Sequence, residues 1–123
     1  MNVEAYLNEL KKENKYHAVK TEVDGIKFDS RAEATRYCEL KLMQKAKKIK
    51  SLKLQPKYIL QEAFACNGKK IRAITYTADF SYFECSTEKS VVEDVKGLET
   101  EVFKIKKKLF LHQFPWLDLR IIK

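Results

Sequence analysis

Apolar and polar residues alternate along this chain with two periods, and the change of period marks the elements. Val3, Tyr6, Leu7 and Leu10 fall on one side of a short helix over residues 3–12. "TEVDGIKFDS" follows, a hairpin or extended stretch turning at Asp24-Gly25, a pair suited to the positive φ angles of tight hairpins. From Ser30 to Lys48 the spacing predicts a long helix, with Ala34, Cys38, Leu42, Ala46 and Ile49 as its apolar stripe and Tyr37 beside it. In "SLKLQPKYIL" the residues Leu52, Leu54, Pro56, Tyr58 and Leu60 alternate with polar ones, which predicts a half-buried strand. Pro56 has no amide hydrogen to give a ladder, so it places that strand at an edge or bulge. "NGKK" reads as a turn, and "IRAITYTADFSYF" as a second strand. Ile74, Tyr76, Ala78, Phe80 and Tyr82 would share one side of it, with Thr75, Thr77, Asp79 and Ser81 on the other. "VVEDVKG" is a third strand, residues 100–114 a second helix, and "LDLRII" a final strand. The order helix, three strands, helix, strand predicts an α/β fold with a mixed central sheet flanked by helices. Residues 1–14 read as a helical or loose segment ahead of a single domain over 15–123.

The third strand breaks the pattern, because Glu93, Asp94 and Lys96 stand in a valine-rich run. Unpaired charge on a buried strand costs several kcal/mol. The strand period sends Val92, Asp94 and Lys96 to one side and Val91, Glu93 and Val95 to the other. A hairpin centred between Ser86 and Thr87 sets Asp79 opposite Asp94, with Cβ atoms about 5 Å apart. Two facing carboxylates destabilise a sheet unless a shared proton or a bound cation offsets them. Mg²⁺ suits the position, since it takes one or two carboxylates and completes its shell with waters and phosphate oxygens. Lys96, two residues along, is placed to orient a water or steady charge on a phosphate. Such a group fits metal-assisted attack of water on a phosphodiester. The plainer alternative is a salt-bridge cluster on a solvated sheet face.

Composition narrows the choice of partner. A chain of 123 residues is long enough for one core, and 45% apolar with 11% aromatic residues argues against wholesale disorder. Lys and Arg number 25 against 17 Asp and Glu, a net charge of +8 that favours a polyanion: nucleic acid first, an anionic membrane surface second. Seven lysines and no acid lie between Lys41 and Lys57, and "KIKKK" adds four more on the second helix. Lys53, Gln55 and Lys57 share a strand side, and Lys104 and Lys108 are one helical turn apart; these are the candidates for backbone contacts to DNA. Solvated faces are the plainer reading of the same runs. Cys38, Cys66 and Cys85 share no zinc or disulfide spacing, which fits a reducing cytoplasm. No apolar run approaches a signal-peptide core or a membrane span, so a soluble cytoplasmic protein is expected.

Taken together, "KTEVDGIKFDSRAEATRYCELKL", "LQPKYIL", "ITYTADFSYF" and "VVEDVKG" resemble the PD-(D/E)XK nuclease superfamily. Within it, the chain looks like a small phage and prophage family catalogued as a domain of unknown function and related to TnsA-type and Holliday-junction-resolving nucleases. The likeness runs over residues 15–112. It implies a restriction-endonuclease-like core and a DNA endonuclease dependent on Mg²⁺ or Mn²⁺, phage-encoded and working in a bacterial cytoplasm. Residue by residue, it implies Asp79 as the first acid, Asp94 as the second, Lys96 as the motif lysine and Glu33 as the acid of the first helix. Ala78 departs from the pattern, which has proline there. Glu33 also completes a capping box with Ser30. Glu93 points away from the site unless a bulge turns it, so it stands as a reserve ligand. Branched DNA and a homodimer fit a junction cutter, which needs two centres. The competing expectations are a non-catalytic nucleic-acid-binding or accessory protein on the same scaffold, and a basic partner of an acidic protein.

Overall fold

Asp24 and Gly25 take φ angles of 54° and 76°, the turn that "DG" favours, and join β1 (Thr21–Val23) to β2 (Ile26–Phe28) with Val23 opposite Ile26. The computed structural model describes residues 1–12 and 21–123, in two units, Met1–Ile49 and Lys50–Lys123.

The first unit adds α1 (Val3–Lys12) and α2 (Arg31–Lys45) to this hairpin. Asn2 Oδ1 accepts the Ala5 amide at the start of α1, and Ser30 Oγ accepts the Glu33 amide at 3.1 Å at the start of α2. A cap of this kind contributes about 1 kcal/mol. Tyr6 donates to the Arg31 carbonyl at 3.1 Å, and Tyr37 donates to Asp24 Oδ2 at 2.9 Å while packing on Phe28. The helix is shorter than its spacing predicts and buries a different stripe: Ala34, Tyr37, Cys38 and Leu40, with Leu42 exposed. A row of i+4 steps drifts about 40° around the helix per step, so Leu42 has rotated out of the face that Ala34 begins. Lys47, at φ 63°, ends the helical path, and Ile49 already belongs to β3.

The second unit is strand-rich. Its elements are β3 (Ile49–Leu54, entered from the first unit), β4 (Lys57–Gln61), β5 (Phe64–Cys66), β6 (Lys69–Ile71), β7 (Ile74–Thr77), β8 (Phe80–Glu84), β9 (Lys89–Val95), α3 (Glu101–Gln113) and β10 (Asp118–Ile122). A four-stranded sheet has the order β10-β9-β8-β3. β9 runs antiparallel to β8 and parallel to β10, which α3 makes reachable, so the fold is α/β with a mixed sheet as expected. β4 pairs with β7, and β5 with β6, as separate two-stranded ladders.

Two expected strands are each divided, and the divisions face each other. The Gln55 amide donates to the Asp79 carbonyl at 2.9 Å, and the Ala78 amide donates to the Pro56 carbonyl at 3.0 Å. Pro56 returns no bond because it has no amide hydrogen, and Gln55 takes φ 50°, which bends the chain out of the ladder. The inward side changes across this joint. Tyr76 and Ala78 pack with Leu60, Val92, Phe103 and Phe110, whereas Phe80 and Tyr82 lie outside that cluster. The single-faced strand expected from Ile74 to Tyr82 is therefore corrected to two short ones.

Aromatic rings dominate this core. Tyr58 meets Phe110 edge-on at 5.0 Å, and Tyr76 meets the same ring at 5.5 Å. Such pairs add about 0.5–1.5 kcal/mol to the burial itself. Thr100 Oγ1 caps α3 through the Phe103 amide at 3.1 Å. At the other end, the Gln113 amide donates to the carbonyl of Leu60, where β4 bulges. Trp116 is 69% exposed and lies edge-on to half-buried Phe114. Arg120 on β10 holds both carboxylate oxygens of Glu84 on β8, at 2.9 and 3.0 Å, and also Asp118. No helix among the described residues is long and apolar enough to cross a membrane.

Candidate functional site

β8 and β9 pair from Phe80 opposite Glu93 to Glu84 opposite Lys89, the register of a hairpin centred between Ser86 and Thr87. The ladder stops one pair short of Asp79. At that point the Asp79 amide donates to the Glu93 carbonyl, and the Asp79 carboxylate accepts the Val95 amide at 2.7 Å. A side chain thus takes the place of a backbone acceptor, and it brings Asp79 to the strand that carries Asp94 and Lys96. The joint at Gln55–Pro56 fixes Asp79 from its other side, through its own carbonyl.

Asp94 is only 3% exposed, so the solvated-face alternative does not hold for it. Its side of β9 carries Val92, which belongs to the cluster with Tyr76, Phe103 and Phe110. Tyr76 donates its hydroxyl to Asp94 Oδ2 at 2.5 Å, and Lys96 Nζ lies 3.6 Å from Asp94 Oδ1. The Lys96 ammonium also sits 4.4 Å above the Phe103 ring, a cation–π contact. More than a quarter of the Lys96 side chain is exposed, against a few per cent for Asp94, so the cation forms the solvent-facing lid of a buried acid.

Burial raises the Tyr76 phenol first, its hydrogen bond to Asp94 second, and the charges of Asp94 and Asp79 after that. Its pKa moves far above the usual 10, so Tyr76 stays a donor at any physiological pH. The Asp79 carboxylate bonds the amide of Val95, the residue after Asp94, so both acids lie at the same end of β9. Their proximity had called for a shared proton or a cation. The chain supplies a different answer: a phenol, a backbone amide and an ammonium, each charge-assisted bond contributing about 1.5–3 kcal/mol.

Glu93 is fully buried on the opposite side of β9 and accepts the Tyr82 hydroxyl. No bulge turns it toward Asp94, so its reserve-ligand role is not met by the register. Glu33 lies in the first unit, where its amide completes the Ser30 cap. Lys53, Gln55 and Lys57 are all exposed, alternating with half-buried Leu54, Pro56 and Tyr58. Lys104 and Lys108 are exposed on α3, with Lys104 3.4 Å from Glu101.

Two aspartates offer hard oxygen donors, enough for a Mg²⁺ ion that completes its shell with water and phosphate oxygens. Among the described residues, no three His, Cys, Asp or Glu side chains form a larger metal-holding group. Tyr76 and Phe103 are the site's unforeseen members. Alternation had placed Tyr76 on the apolar side of its strand, and its hydroxyl was the unread signal, since a buried phenol needs a polar partner.

A family model described as "Protein of unknown function (DUF1064)" matches residues 13–123. No curated protein and no solved structure matches the chain.

Proposed function

The chain belongs to the DUF1064 family, whose description names no activity, and from the site itself we propose a DNA endonuclease dependent on Mg²⁺ or Mn²⁺. One observation carries the reading. The Asp79 carboxylate bonds the Val95 amide, one residue along β9 from Asp94, whose Oδ1 lies 3.6 Å from the ammonium of the partly exposed Lys96. In this reading the mixed sheet with α3 is a restriction-endonuclease-like core, as the sequence resemblance implies.

Asp79 and Asp94 would hold the divalent cation, which when bound supplies Lewis-acid stabilisation of charge on the phosphodiester. The remaining roles belong to the chain. Tyr76 fixes the plane of the Asp94 carboxylate, and the Val95 amide fixes that of Asp79. Lys96, held by Asp94 and the Phe103 ring, orients the attacking water or a non-bridging phosphate oxygen. Glu33 is retained as an assisting acid on the strength of the resemblance. The exposed lysines Lys53, Lys57, Lys104 and Lys108, with Gln55, supply backbone contacts to DNA. Branched DNA cut by a homodimer is the form of the reaction that the resemblance favours.

One observation favours a second reading, a nucleic-acid-binding protein without catalysis: both carboxylates already have hydrogen-bond donors, and no third ligand group joins them among the described residues. Incubating the purified chain with branched, linear and single-stranded DNA in Mg²⁺, Mn²⁺ or EDTA separates the two. Cuts that appear with metal and vanish with EDTA are expected. Tight, salt-sensitive binding with no cut under any metal would establish the second reading.

A further inference from the structure

The β5–β6 hairpin differs from the other ladders of its unit in having no buried or half-buried residue. Its strands pair only with each other, Phe64 with Ile71, Ala65 with Lys70 and Cys66 with Lys69. Asn67 and Gly68 close it at φ 49° and 75°. Every residue from 61 to 72 is exposed, including Phe64 at 48% and Ile71 at 39%. Two strands with no sheet or helix over them are marginal in water, and two large apolar side chains on such an element indicate a surface that is covered in use.

The charge of the hairpin says what covers it. Lys69, Lys70 and Arg72 face a single acid, Glu62, within this stretch, and the tip is the polar pair Asn67-Gly68. Cross-strand pairing puts Lys70 on one side of the ribbon and Lys69 on the other, so cations flank it on both sides. A protein groove would meet the Phe64–Ile71 pair but leave cations on both sides to desolvate. The major groove of B-form DNA, about 12 Å wide and 8.5 Å deep, admits a two-stranded ribbon and presents phosphates along both its walls.

We propose that the β5–β6 hairpin is an arm that enters the major groove of duplex DNA, with Lys69, Lys70 and Arg72 on the phosphates. The choice of DNA rests on the reading of the chain as a DNA-cutting protein. The arm continues the β4–β7 ladder, whose other end abuts the Gln55–Asp79 joint, so it holds duplex to one side of the aspartates. Duplex RNA, with its deep and narrow major groove, would not accept the arm.

The test uses the full chain with Lys69→Ala, Lys70→Ala and Arg72→Ala combined. Anisotropy of a labelled DNA duplex in EDTA gives affinity at several salt concentrations. About 0.9 is lost from the log–log salt slope per phosphate contact, so a fall of about 2–3 is expected, with affinity at least about tenfold weaker near 0.1 M salt. An unchanged slope and affinity overturns the proposal. So does loss of self-association with DNA affinity intact, which would make the arm a contact between copies.

A second measurement needs no loss of charge. Cys66 lies on the arm, Cys85 lies in the β8–β9 turn, and both are exposed. A photo-crosslinker on each as the only exposed cysteine should capture duplex DNA from Cys66 far more than from Cys85. Equal yields, or none at Cys66, overturn the arm. A wild-type chain that crosslinks at Cys66 but cuts nothing with Mg²⁺ or Mn²⁺ keeps the arm and removes the nuclease reading. A chain that cuts and binds normally with its arm neutralised does the reverse.

Discussion

Glu93 and Asp94 are neighbours on β9, both withdrawn from solvent, and each accepts a tyrosine hydroxyl on its own side of the sheet. What differs is the rest of their surroundings. Glu93 is sealed completely, among residues such as Phe80 and Tyr82 that are themselves buried. Asp94 has a second acid nearby, held by the Val95 amide, and an ammonium that reaches the surface. A buried acid with a phenol partner is therefore core architecture in itself. Chemistry requires the additional acid and a cation that a substrate can meet.

Substitutions at the two positions test that contrast most sharply. Asp79→Ala, Asp94→Asn and Lys96→Ala should each slow metal-dependent cleavage by about 10²–10⁴-fold, scored by nicking of supercoiled plasmid, with DNA binding in EDTA kept. Glu93→Gln should leave the rate within a few-fold. Equal losses at positions 93 and 94 would erase the distinction between them.

The tyrosines give a smaller effect that separates stability from rate. Tyr76→Phe and Tyr82→Phe each leave a buried carboxylate short of a donor and should cost about 1–3 kcal/mol in urea unfolding. Only Tyr76→Phe should also lower the cleavage rate, by about 10–100-fold, because it alone positions a carboxylate assigned to metal.

The smallest effect concerns Glu84, which lies away from both acids and serves as a control on general acid sensitivity. Its hydrogen bonds to Arg120, and then to Thr87, hold its pKa down from 4.5 to about 2. A carboxylate lowered in the folded state stabilises above its unfolded pKa and loses that contribution as pH falls through the folded value. Wild type should therefore melt above Glu84→Gln at neutral pH, and the gap should close between pH 4.5 and about 2. A gap that does not change with pH would show that the pair contributes only shape.

Much of this molecule is local in origin, and that part could be read in advance. The turns at Asp24-Gly25 and Asn67-Gly68, the cap at Ser30, the limits of α3 and the β8–β9 register all follow from residues close in sequence. Pro56 announced an edge or bulge, and it lies at the joint. The matching break at Ala78–Asp79 was hidden because the alternation of apolar residues continues through it. The Tyr76–Asp94 bond joins β7 to β9, strands that do not pair, so no register argument reaches it. The register that sets position 79 beside β9 was readable, but the donors that meet the two carboxylates came from tertiary packing. For the same reason Leu42 was placed inside: periodicity names a face without saying how far the opposing surface extends.

The missing amide hydrogen of Pro56 has a further consequence. Hydrogen-bonded ladders open like zippers, and a zipper stops where a tooth is absent. The β4–β7 ladder can breathe without unzipping β3 and β8, so amide exchange should fall into two tiers that meet at residues 55–56 and 78–79. A pull on the distal ribbon would reach Asp79 through that joint before it disturbed Asp94 on β9.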